Sequence, residues 1–280
     1  MVKRLIAIAA AIAVLAAAMA ASLAIYQWQR DRGRTVNGFG DYQATDRVEL
    51  YVWITRVDPA VQQVSVQLTP HPRGRFEASS GAFAADTTIR TSGQRADPVI
   101  VRANTEIPTS ELTFAMTGGG MITDYPFDKY DSNFAFVAEN AEGPIPLVVD
   151  VQNGDTFFGA TPRFDPADNQ VDHVGLILHI HRSAAALIFA VFVMVLMLGV
   201  AAAAAAVALH LITRHRNLVF PGCTLLAAIL FALIPLRNAV PGAPPIGSII
   251  DFASFFLAEA VVAISLITAI LVGAWRERGQ

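Results

Sequence analysis

Three histidines, His173, His179 and His181, lie within nine residues of one another. If Val171–Arg182 is a strand, odd-numbered positions share one face, and histidines two apart can grip one metal ion. No carboxylate or thiol at a fixed spacing completes a ligand set. The expectation is therefore no metal site, with His179 and His181 as polar residues where a last strand meets lipid headgroups. Glu259 poses a different problem, because it interrupts an apolar run from Phe252 to Trp275. A carboxylate in hydrocarbon costs about 3 kcal/mol unless it is protonated or partnered. Its expected role is an intramembrane polar element that either serves transport or packs one helix against its neighbours. Arg237 and Asp251 bound a link with four prolines or glycines within Pro241–Pro245. They are expected to pair locally at a polar membrane boundary, closing a stiff loop. The most distinctive segment is Tyr125-Pro126-Phe127-Asp128-Lys129-Tyr130. Proline fixes a turn there, just before a strand whose Tyr130, Ser132, Phe134 and Phe136 share one face. The segment reads as a structural turn with aromatic core residues, or as a loop at the membrane-proximal base of a domain.

Recognisable catalytic signatures are missing. The chain has no GxSxG, no GxxxxGK[ST], no HExxH and no GxGxxG after a strand. Gly118-Gly119-Gly120 alone is a turn and not a phosphate cradle. The sequence thus offers no catalytic residue and no cofactor site, and the expectation is a protein that is not an enzyme. The single cysteine, Cys223, excludes an internal disulfide framework.

These residues need elements to hold them. A hydrophobic fraction of 54% and mean hydropathy of +0.47 exceed the usual soluble range. Four stretches are long and apolar enough to cross a bilayer: Leu5–Tyr26, Ser183–Thr213, Asn217–Leu236 and Phe252–Trp275. The first, after Lys3 and Arg4, reads as a retained anchor, although Ala18-Met19-Ala20 would also suit a cleaved signal peptide. Basic flanks at Arg214, Arg216, Arg276 and Arg278 favour the cytoplasm, against Arg30, Arg32 and Arg34 after the first span. The signal-like start decides the balance. The expected topology is a multi-pass plasma-membrane protein with both termini cytoplasmic and the large domain outside.

Between Gln27 and Arg182 the apolar period changes to two, and 13 basic residues face 20 acidic ones. That acidic balance argues against a nucleic-acid surface. Short strands are expected at Val48–Ile54, Val64–Leu68, Pro98–Arg102, Leu112–Met116, Ser132–Val137, Leu147–Val151 and Val174–Ile180, with Thr35–Tyr42 as a flexible exit from the first span. Many short strands between turn residues predict an all-β, sandwich-like domain. The expected organisation is an anchor over 1–29, the β domain over 30–182 and a three-helix region over 183–280.

One span before a β-rich domain that carries the Tyr125–Tyr130 motif, and a strand running through His181-Arg182-Ser183 into three spans, resemble the domain of unknown function family 4436, which groups actinobacterial and fungal membrane proteins. That resemblance implies an architecture and no activity. A narrower likeness is to pentameric ligand-gated channels, whose β-sandwich carries an aromatic-Pro-Phe-Asp loop paired with an arginine before the first pore helix. It implies that Asp128 and Arg182 pair and couple domain to membrane. Those channels differ in having four spans after the domain and none before it.

By elimination, the expected function is a non-catalytic accessory or scaffold subunit of an envelope complex, such as a transporter. Its partners would be the lipid bilayer and another membrane protein or further copies of itself. A transport or channel-like protein using Glu259, or a sensor with a ligand-binding β domain, are the alternatives.

Overall fold

The computed structural model describes residues 16–17, 19–24, 27, 35–93, 98–170, 173–213 and 219–278. Contacts divide the chain into two units: residues up to Gly120 with Lys129–Ala185, and Met121–Asp128 with Ala186–Gln280.

Among the described residues, eleven strands build the first unit: β1 (Val36–Gly40), β2 (Arg47–Asp58), β3 (Gln63–Arg73), β4 (Thr87–Thr91), β5 (Val99–Val101), β6 (Ser110–Gly119), β7 (Lys129–Asn140), β8 (Gly143–Ile145), β9 (Leu147–Asn153), β10 (Phe158–Gln170) and β11 (His173–Arg182). The central order is β1-β9-β2-β3-β6-β7-β11-β10, with β4 and β8 also on β7 and β5 on β4. Among the described strands, only β2 and β9 pair in parallel. Strand β6 pairs with β3 through Ala115 and with β7 from Met116, so two sheets share it. The result is the expected sandwich-like domain.

Alternation explains its core. On β2, Val48, Leu50, Val52 and Ile54 turn inward while Tyr51 and Trp53 face out. A bulge between Ile54 and Arg56 shifts the register and returns Val57 to the interior. Tyr130, Ser132, Phe134 and Phe136 share the buried face of β7 as expected, and the rings of Phe114 and Phe134 lie 4.0 Å apart. Each fully buried large apolar side chain contributes about 1.5–3 kcal/mol.

Two expectations need correction. Thr35–Tyr42 is no loose exit, because it contains β1, paired with β9 from Val36 to Gly40. Backbone pairing supplies an order that its glycine-rich sequence does not advertise. Strand β3 also runs on through Pro70 and Pro72. Pairing with β6 stops at Leu68, so the rest of β3 is an edge, where proline is tolerated.

The second unit holds α1 (Ala184–Thr213), α2 (Val219–Asn238) and α3 (Phe256–Arg278), the last preceded by a wide π turn over Asp251–Phe255. Ala184–Thr213, Pro221–Asn238 and Asp251–Arg276 are long and apolar enough to cross a membrane. Among the described residues there are thus three such helices and not four; most of the first expected span, Leu5–Tyr26, lies outside them. Buried positions of α1 fall on one stripe, from Ala186 and Ala190 through Val193 and Met197 to Ala201, Ala204 and Ala208. Their spacing of three and four keeps small side chains on one face, which suits close helix packing.

Candidate functional site

Residues 121–128 leave the β domain and group with the helices. One 3₁₀ turn, Ile122–Asp124, shapes the segment. Asp124 accepts from the Met121 amide at 3.0 Å, and the Phe127 amide donates to the Asp124 carbonyl at 2.8 Å. A cis peptide joins Tyr125 to Pro126. Tyr125 is fully buried in the apolar cluster of Ala190, Val193 and Met197, whereas Phe127 is 53% exposed. The motif is therefore a packed turn that sends its tyrosine into the helical unit. Asp128 is buried in that unit, and Arg182 is buried in the β domain, its guanidinium 4.2 Å from the ring centre of Phe158.

Arg237 and Asp251 meet as expected. Arg237 Nε donates to Asp251 Oδ1 at 2.7 Å and Nη2 to Oδ2 at 2.8 Å, a bidentate pair. Nη1 and Nη2 also reach the carbonyls of Pro244 and Pro245 at 3.0 and 3.1 Å. Asp251 Oδ2 in turn accepts from the amides of Gly247 and Ser248 at 2.7 and 3.1 Å. Gly247 has φ +97°, a conformation that side chains strain to adopt, and this geometry delivers its amide to the carboxylate. The pair thus gathers both ends of the 238–250 link and spends its charge on structure.

Glu259 lies eight residues beyond Asp251, about 12 Å along the axis. Its Oε1 is buried and has no hydrogen-bond partner among the described residues. It sits beside a buried stripe of small or short side chains at Ser254, Ala258, Val262, Ser265 and Ala269. At the other end of α3, Arg276 donates to the carbonyls of Leu211, at 3.3 Å, and Ile212. A cation on the last carbonyls of α1 satisfies acceptors that the helix leaves open.

The β domain carries an open cleft of about 480 Å³, lined by Gly119, Lys129, Asp131, His179 and His181 among others. Strand register makes it: His181 pairs with Lys129 on one side and Gly159 on the other, while His179 pairs with Asp131. His179 Nδ1 lies 2.6 Å from Asp131 Oδ1. The expected boundary histidines are thus neighbours, but His173, at the far end of the strand, is not with them. Sequence reading missed Lys129 and Asp131. The signal was present, since alternation that buries Tyr130 and Ser132 must turn both outward.

A family model described as Domain of unknown function (DUF4436) matches residues 38–178, and one described as Domain of unknown function (DUF8686) matches residues 182–276. No curated protein matches the chain. The two matches meet where β11 gives way to α1.

Proposed function

The chain belongs to the family of the domain of unknown function DUF4436, and from that premise we propose that it is a non-catalytic, multi-pass plasma-membrane protein. It serves as an accessory or scaffold subunit of an envelope complex, with its β domain outside and its helices bound to a partner or to further copies. The observation that carries this reading is Glu259. A carboxyl oxygen buried on an apolar helix with no partner among the described residues is costly, and a second chain can satisfy it. Arg237, Asp251 and Arg276, by contrast, are engaged in holding a loop and a helix end within the helical unit.

The test is native purification in mild detergent with mass spectrometry of what co-purifies. Wild type is expected to bring down a stoichiometric membrane partner or a second copy. Glu259→Leu is expected to weaken that association at least tenfold, while Glu259→Gln, which still hydrogen-bonds, retains most of it. A lone monomer from wild type would end the subunit reading. The transport reading rests on the same residue and makes the opposite prediction: Glu259→Gln abolishes proton or ion flux in proteoliposomes.

A further inference from the structure

The cleft on β7 and β11 is not used by the subunit reading, and its composition is specific. Lys129 and His181 face each other across the β7–β11 ladder and both are exposed. His179 and Asp131 form the next rung, joined at 2.6 Å through Nδ1, so His179 presents Nε2 as its other polar atom. Glycines border this pair of rungs. A Cβ on Gly119 would come within 2.5 Å of the Lys129 carbonyl oxygen, and one on Gly159 within 2.6 Å of His181 Nε2. At Gly119, which lines the cleft, any other residue would move the lysine strand, and at Gly159, paired with His181, a side chain would displace the histidine ring. One ammonium, two imidazoles and a carboxylate already held by an imidazole make a site for an anion. Among the described residues no group of three His, Cys, Asp or Glu side chains is placed to hold a metal ion, and an ion here would also meet the Lys129 charge.

Chain connectivity adds a location. The points at which the chain passes between the two units, after Gly120, before Lys129 and after Ala185, lie within four residues of a cleft residue. The first apolar helix begins at Ala184, three residues past His181, which is about 10 Å of extended chain at most. Headgroup phosphates are the anions within that reach if the helix spans a bilayer.

We propose that this cleft is a phosphate-binding site in which Lys129 and His181 contact the anion and Asp131 positions His179 beside them. The chemistry is that of a phosphate oxyanion, supplied by an anionic phospholipid headgroup or by free phosphate. Only the lipid source rests on the membrane reading above, so loss of a partner in the Glu259 experiment leaves this proposal standing.

The experiment uses the full chain in mild detergent and native mass spectrometry. One arm adds phosphatidylglycerol or phosphatidylcholine, and a second titrates inorganic phosphate. Wild type is expected to retain phosphatidylglycerol over phosphatidylcholine, with Lys129→Ala and His181→Ala each weakening retention about tenfold and Lys129→Arg restoring most of it. Binding of inorganic phosphate with the same variant pattern, without lipid retention, supports the site and assigns it to the free anion. Thermal melting of each variant separates a lost contact from a lost fold. Failure of both anions to bind wild type, or binding unchanged in both alanine variants, overturns the proposal. So does stoichiometric zinc binding that requires His179 and His181.

Discussion

Glu49 shows how a buried charge is kept in the β domain. It is buried on β2, and both carboxylate oxygens are taken: Arg47 Nε donates to Oε1 at 3.0 Å and Arg73 Nε to Oε2 at 2.9 Å. Burial by itself pushes the carboxyl pKa up, but hydrogen bonds and charge from the two guanidiniums outweigh it and hold the group below its ordinary 4.5. A carboxyl whose pKa is depressed on folding stabilises the fold above its unfolded pKa and loses that contribution as pH falls through the folded value. Glu49→Gln is therefore expected to lower the melting temperature at pH 7, by an amount corresponding to about 1.5–3 kcal/mol for hydrogen bonds to a charged group. The gap from wild type should shrink as pH falls below the ordinary 4.5 and through the depressed folded value, where wild type is itself protonated. Thermal unfolding of both proteins across that range measures it, and a gap independent of pH would show that the charge is not what Arg47 and Arg73 hold. Arg47 and Glu49 were legible as neighbours on one strand face, two residues apart. Arg73 was not, because it arrives by the register of β2 on β3.

At the scale of elements, the link between α2 and the π turn behaves as a latch. Arg237 and Asp251 are 8% and 1% exposed at their side chains, so removing either leaves the other charged and buried. Breaking a buried pair from one side costs about 3–5 kcal/mol, whereas replacing both with apolar residues of similar volume costs far less. Arg237→Ala and Asp251→Ala are each expected to lower thermal stability in detergent and to open residues 239–250 to protease. Arg237→Met with Asp251→Leu should recover much of the stability. Single variants that melt like wild type would show that the loop is held by its prolines instead. This pair was readable in advance, because two opposite charges bound a short stiff link with nothing between them to compete. Elements built by distant pairing were harder. Strands β2 and β3 announce themselves by strict alternation, but β4 has one large apolar residue in Thr-Thr-Ile-Arg-Thr, and β10 contains Pro162 and Pro166. Those strands exist because β7 and β11 present edges to them. The cleft was hidden for the same reason: His179 and Asp131 are 48 positions apart, and no spacing rule links them.

For the whole molecule, the arithmetic of spans constrains the reading more than any single site does. Among the described residues, three helices long and apolar enough to cross a membrane follow the β domain. If all three cross, the C-terminus lies on the side opposite that domain, whatever becomes of residues 5–26. The proposed topology puts that opposite side in the cytoplasm, because Arg276 and Arg278, with Arg214 and Arg216 in the link between α1 and α2, would supply basic flanks there. The chain suits a direct check because Cys223 is its only cysteine. On a Cys223→Ala background, Val61→Cys places a thiol in the exposed turn between β2 and β3, and Gln280→Cys places one at the C-terminus. With an impermeant maleimide, the first is expected to react in intact cells and the second only after the membrane is opened. Reaction of both thiols in intact cells would remove one crossing from the count. The reverse pattern would turn the protein over, placing the β domain and its cleft in the cytoplasm and the stiff Arg237–Asp251 loop with them.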